Sequence, residues 1–291
     1  MKKRTFLKTF GTALASPFFI SSSKNRFIDD SLYNYPKFDS EFWIKIRDHY
    51  ELTPDYINLE SGYYNIIPKP TLSKHIQHIN RINVMGSYYM RNNRLKDKKL
   101  ITQRLANFVG CSSNNLVITR NTTESLDLIV GGYPWKKGDE AIYALQDYGA
   151  MKVMFEQISN RYGVVNKVIS IPNHPKSDDE IVSLYESQIT SKTRLIMVCH
   201  MINITGQILP IKKICNMAHK YGVEVMVDGA HCVGHFDFKI DDLDCDYYGS
   251  SLHKWLATPL GAGLLYVNSN HTSKIWPLLA DHNKDLNDIK R

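Results

Sequence analysis

Beyond about position 25, short and continuously apolar runs alternate with stretches in which apolar residues recur every three or four positions. Runs of the first kind, rich in β-branched residues, are what strands covered on both faces require; the second pattern belongs to helices with one buried stripe. It predicts strands over 115–119, 140–145, 164–171, 194–200, 224–227, 247–250 and 263–267, and helices over 95–109, 123–130, 149–161, 178–190 and 211–221. Their order is largely β-α-β, so the expected architecture is an α/β domain with a sheet covered on both faces. Such sheets bind ligands beyond the carboxyl ends of their strands, which directs attention to the residues just after each strand.

Composition changes this picture little. With 43% apolar and 22% charged residues among 291, the chain has the makeup of a globular protein able to bury a large core. A net charge of +7 raises the question of nucleic acid, but Lys2, Lys3, Arg4, Lys8, Lys24 and Arg26 precede the first acidic residue, leaving only +1 for everything after them. No basic stripe remains for a nucleic-acid partner. The front segment 1–25 reads as a targeting signal: a basic start, a weakly apolar stretch from Phe10 to Ile20, then three serines. It resembles a twin-arginine export signal, with Lys3 standing where the first arginine would be, and implies a periplasmic or exported protein; without that signal the location would be cytoplasmic. No later segment reaches the roughly 20 apolar residues of a membrane span. Five cysteines without paired spacing do not suggest a disulfide framework.

Three post-strand segments carry candidate chemistry. In Thr119-Arg120-Asn121-Thr122-Thr123-Glu124-Ser125 hydroxyls and free N–H groups gather where a helix opens, suiting a phosphate; Thr122 acting as a plain helix cap explains the same residues. In Val227-Asp228-Gly229-Ala230-His231 a strand runs into a carboxylate that needs a cationic partner, such as a protonated ring nitrogen, unless it merely starts an Asp-Gly turn. Asp228, His231, Cys232, His235 and Asp237 lack the usual metal-ligand spacings. In Ser251-Leu252-His253-Lys254-Trp255 a lysine sits between apolar neighbours, where desolvation turns an amine into a nucleophile towards aldehydes; the ordinary alternative is a solvated loop lysine.

The order and separation of these segments resemble the class V aminotransferase family of fold-type I enzymes, which includes cysteine desulfurases and isopenicillin-N-epimerase-like proteins. The resemblance runs from about Tyr56 to Val267. It implies the aspartate-aminotransferase-like large domain, a three-layer sandwich with a mainly parallel mixed sheet flanked by helices, and pyridoxal 5'-phosphate as cofactor. Carried over residue by residue, it implies that Lys254 forms the Schiff base and that Asp228 pairs with the cofactor's pyridine nitrogen. These two are the expected catalytic residues. Thr122, Thr123, Ser251 and His253 would hold the phosphate, Tyr148 would stack on the ring, His231 would bond the phenolic oxygen, and Asn203 would sit beside cofactor and substrate. No metal is implied.

The same resemblance implies an enzyme acting on an amino acid by transaminase, epimerase or desulfurase/lyase chemistry, working as a homodimer. The nucleophilic cysteine of desulfurases and the substrate-binding arginine of the family's smaller domain have no match here. The expected division is therefore an export-like segment over 1–25, an N-terminal arm and helix over 26–60, the cofactor-binding large domain over 61–270, and over 271–291 the start of a connection to a missing carboxyl-terminal domain. A catalytically defective cofactor-binding remnant is the alternative function.

Overall fold

The computed structural model describes residues 39–278; the segment 1–25, the start of the expected arm and the last residues of the expected connection lie outside them. Seven strands, β1 (Leu116–Thr119), β2 (Glu140–Ala144), β3 (Val165–Ile169), β4 (Thr193–Cys199), β5 (Glu224–Asp228), β6 (Tyr247–Ser251) and β7 (Gly263–Val267), form one sheet in the order β1-β7-β6-β5-β4-β2-β3. Neighbours pair in parallel except β7, which runs antiparallel to both β1 and β6. All seven strands fall where the apolar runs place them.

Among the described residues seven α-helices accompany the sheet: α1 (Ser40–Asp48), α2 (Lys69–Asn92), α3 (Arg94–Val109), α4 (Thr122–Gly132), α5 (Gly149–Tyr162), α6 (Asp178–Glu186) and α7 (Ile211–His219). Alternate side chains of the central strands feed two cores, as the period of two in a strand demands. On β4, Ile196 and Val198 belong to the core that also takes in α3, α6 and α7, while Leu195 and Met197 belong to the one with α4 and α5. On the helices the buried positions keep helical spacing: Met151, Phe155 and Ile158 on α5, and Ile211, Ile214, Cys215 and Ala218 on α7. The result is the expected three-layer α/β sandwich.

Two departures concern helices. α2, for which the apolar pattern predicts no helix, runs for 24 residues with a kink at Gly86, and Tyr89 is its one buried residue. The helix expected over 178–190 stops at Glu186. Because β2, β4, β5 and β6 are parallel, Ala144, Cys199, Asp228 and Ser251 all end on the same edge of the sheet, and Thr119 at the end of β1 joins them. The three segments with candidate chemistry lie just beyond that edge.

Candidate active site

α4 opens at the end of β1, and its first turn is organised by local bonds. The Asn121 side chain accepts the Glu124 N–H (2.8 Å), making Asn121, not Thr122, the helix cap. Glu124 in turn accepts the Arg120 N–H (2.6 Å) and pairs with its guanidinium. The cap expected at Thr122 is thus corrected by one residue, and the correction frees the Thr122 hydroxyl. It lies 2.7 Å from Ser251 Oγ, which also accepts the Thr122 N–H (2.9 Å). Two hydroxyl protons share one bond there, so one proton remains to donate to an anion at the positive end of α4.

Asp228 ends β5 with 4% of its surface exposed. Its Oδ1 accepts the Ala230 N–H (3.0 Å). Burial raises its pKa, while that N–H and the Lys254 charge act the other way. Lys254 follows β6 by three residues and is half-buried. Burial lowers its pKa, opposed by Asp228, Glu60 and Cys199. Its Nζ lies 3.3 Å from His231 Nε2, and the Trp255 indole donates to His231 Nδ1 (3.2 Å). Burial, with the Lys254 and His235 charges behind it, pushes His231 down to about 4. His253 is likewise lowered by burial; its Nδ1 lies 3.4 Å from the Ala262 carbonyl.

Thr122, Thr123, Tyr148, Asn203, Asp228, His231, Ser251, His253 and Lys254 all line a single cavity of about 640 Å³. Five separate loops deliver them, so their meeting is a property of the parallel sheet rather than of any local sequence. Tyr148 stands at the head of α5 and Asn203 in the turn after β4, both exposed. Among the described residues no group of side chains fits a metal ion; His235 instead stacks on Trp255 with centroids 3.8 Å apart. No described helix is long and apolar enough to cross a membrane.

Several lining residues carry no sequence signal of their own. The stretch from Leu59 to Tyr63 closes one wall, tied to the lysine loop by the Asn65 N–H donating to the His253 carbonyl (3.0 Å). Gly62 lies close against His231, and a Cβ there would stand 3.0 Å from His231 Cε1, tighter than an ordinary contact. Cys199 and Arg120 also face the cavity. Beneath it lies Asp147, 3% exposed, whose Oδ2 accepts the Ala144 N–H (2.7 Å) and whose pKa burial raises to about 7.

The donor set fits a flat, anionic, aldehyde-bearing ring. A helix terminus with hydroxyls, a buried carboxylate and a half-buried amine line the same cavity. The volume is that of ordinary small-molecule sites.

Comparison with known proteins agrees. The family described as Aminotransferase class-V matches residues 71–283. Isopenicillin N epimerase from Amycolatopsis lactamdurans is 28% identical over 244 residues, covering 81% of this chain and 60% of that protein. A cysteine desulfurase from Escherichia coli is 33% identical over 171 residues, covering 57% of this chain and 41% of that one. The chain thus spans less than two thirds of these relatives' length. Among solved structures, a variant of C-DES with glycine covalently linked to its PLP cofactor superposes with a TM-score of 0.71 at 24% identity, over 79% of this chain and 61% of that one. The cysteine desulfurase CsdA from Escherichia coli gives 0.70 at 25% identity, over 82% and 61%.

Proposed function

The chain belongs to the aminotransferase class-V family, and from that premise we propose that it is a pyridoxal-phosphate enzyme of amino acids, with Lys254 as the point of covalent attachment. The observation that carries the reading is the convergence of a half-buried amine, a buried carboxylate and a hydroxyl-bearing helix terminus on one cavity. When bound, the cofactor supplies an aldehyde that takes up an amine and a ring that withdraws electrons from the neighbouring carbon.

The chain's own residues do the rest. Thr122, Thr123, Ser251 and His253 hold the phosphate at the start of α4, where the helix dipole favours an anion. The Asp228 carboxylate, kept from water, holds a proton on the ring nitrogen and so keeps the ring cationic. Tyr148 would stack on the ring, Asn203 would sit beside cofactor and substrate, and His231 would bond the phenolic oxygen. As a free amine, Lys254 would be the base that takes the substrate Cα proton and the acid that returns it. Transamination and epimerisation would differ in where that proton is returned, whereas desulfuration or lyase chemistry would go on to break a bond to sulfur or another leaving group. The large domain is assigned to 61–270, and pairing of two chains is proposed to cover the exposed apolar side chains around the cavity mouth.

Borohydride reduction of the full chain after incubation with pyridoxal phosphate tests the attachment. The peptide bearing Lys254 should gain the mass of the reduced adduct, and Lys254→Ala should abolish both the adduct and the visible absorbance. Adding amino acids to the loaded chain should then change the spectrum, with keto acid, racemised amino acid or sulfide as product. A Lys254 peptide at unmodified mass overturns the proposal.

A further inference from the structure

Trp255 sits beside the attachment lysine and has no part in the chemistry assigned to Lys254 and Asp228. Its indole N–H can only donate, and it donates to His231 Nδ1 at 3.2 Å. A neutral imidazole has one N–H, so occupation of Nδ1 as an acceptor places that proton on Nε2. Nε2 is the atom 3.3 Å from Lys254 Nζ. An ammonium offers three donors and no acceptor, so this contact is a hydrogen bond only while Lys254 is a free amine. Protonating the lysine would set two donors against each other, or would move the imidazole proton to Nδ1, where it would confront the indole N–H.

We propose that Trp255, acting through the tautomer of His231, holds Lys254 as a free, nucleophilic amine. Trp255 is then a positioning residue, since it acts on the amine through another ring. The surroundings make both rings rigid. The indole stacks on His235 at an interplanar angle of 7°, and His235 Nδ1 is anchored to the His231 carbonyl (2.9 Å), which can only accept. Gly234, at φ +85°, lets the two loops meet, since a Cβ there would stand 2.7 Å from Leu256 Cα and N. On its other side the imidazole packs against Gly62.

The device has opponents to overcome. Asp228 and Glu60 both favour the ammonium, and the Cys199 thiol, held neutral by burial, adds little charge. His253, whose own pKa burial lowers, would as a cation oppose a charge on Lys254. Burial and the His231 N–H act on the side of the free amine.

The inference rests on the proposed attachment only for the use made of the amine, so its test needs no cofactor. The full chain is stripped of bound carbonyl compounds with hydroxylamine, and Lys254 is titrated by trace labelling with an amine-reactive ester, its peptide being read by mass spectrometry across a pH series. Trp255→Phe keeps the stack on His235 and removes the donor. The labelling midpoint should rise, slowing labelling at neutral pH about tenfold for each pH unit of that rise. His231→Gln, whose amide accepts from the indole and donates to Lys254, should leave the midpoint near its original place. Nitrogen-15 NMR of the unaltered protein should find the His231 proton on Nε2, a readout independent of whether any variant folds. A proton on Nδ1, or an unmoved midpoint in folded Trp255→Phe, overturns the proposal. A midpoint that moves while borohydride capture at Lys254 fails supports this device and sinks only the attachment. Capture without any shift does the reverse.

Discussion

At the scale of single residues, burial decides what each ionisable group in the site can be. Asp147 illustrates the sign of the effect. Its carboxyl is raised to about 7 chiefly by desolvation, so relative to an unfolded value of about 4 it favours the folded state in acid, and this contribution is lost as pH rises through 7. Asp147→Asn keeps the size of the group, along with the acceptor for the Ala144 N–H, and removes the charge. Its melting temperature, relative to the unaltered chain, should therefore rise progressively between pH 4 and pH 8, as differential scanning calorimetry would read. A difference that is flat with pH would mean that burial does not desolvate this carboxylate. Asp147 is invisible as a special residue in the sequence, because nothing local distinguishes an acid under the sheet edge from one in a solvated turn. Asp228 and Lys254 are legible, because each follows an apolar strand and carries a recognisable neighbourhood.

At the scale of elements, the first turn of α4 is where local and global demands meet. Asn121 caps the Glu124 N–H and Glu124 reaches back to the Arg120 N–H, a reciprocal arrangement of the capping-box kind. Asn121→Ala should destabilise the chain by about 1 kcal/mol in urea titration. If the start of α4 holds the phosphate as proposed, it should also weaken pyridoxal phosphate binding, because the first turn would lose its fixed direction. The sequence misplaces this cap at Thr122, because asparagine and threonine stand side by side with equal claims. Only the bonds to Ser251, 129 residues away, separate the two roles. α2 escapes the apolar pattern for another reason. Pro70 in its first turn and the spacing of Leu72, Ile76 and Ile79 are helix signals, but only Tyr89 is buried and no flanking strand frames it. The strands are plainer because burial on both faces leaves a continuous apolar run.

At the scale of the whole molecule, large apolar side chains stand in water near the cavity. Ile57 is 85%, Leu59 91% and Tyr63 80% exposed, and the last two line the mouth. The proposed pairing of two chains would cover them. Sedimentation at micromolar concentration should then read a dimer, and the double change Ile57→Glu with Leu59→Glu should shift it to monomer while leaving the far-ultraviolet circular dichroism unchanged. A monomer in both cases would refute the pairing.

The sequence by itself determined the seven strands, most of the helices between them and the α/β class, and it pointed to the candidate residues at the strand ends, because hydrophobic period and strand-end position are local properties of the chain. It could not determine which of those residues meet, that the hydroxyls of Thr122 and Ser251 lie 2.7 Å apart, or that the Trp255 indole reaches the His231 imidazole. Those depend on contacts between loops far apart in the chain. Only the parallel sheet, by ending β1, β2, β4, β5 and β6 on one edge, brings the loops within hydrogen-bonding distance and away from water.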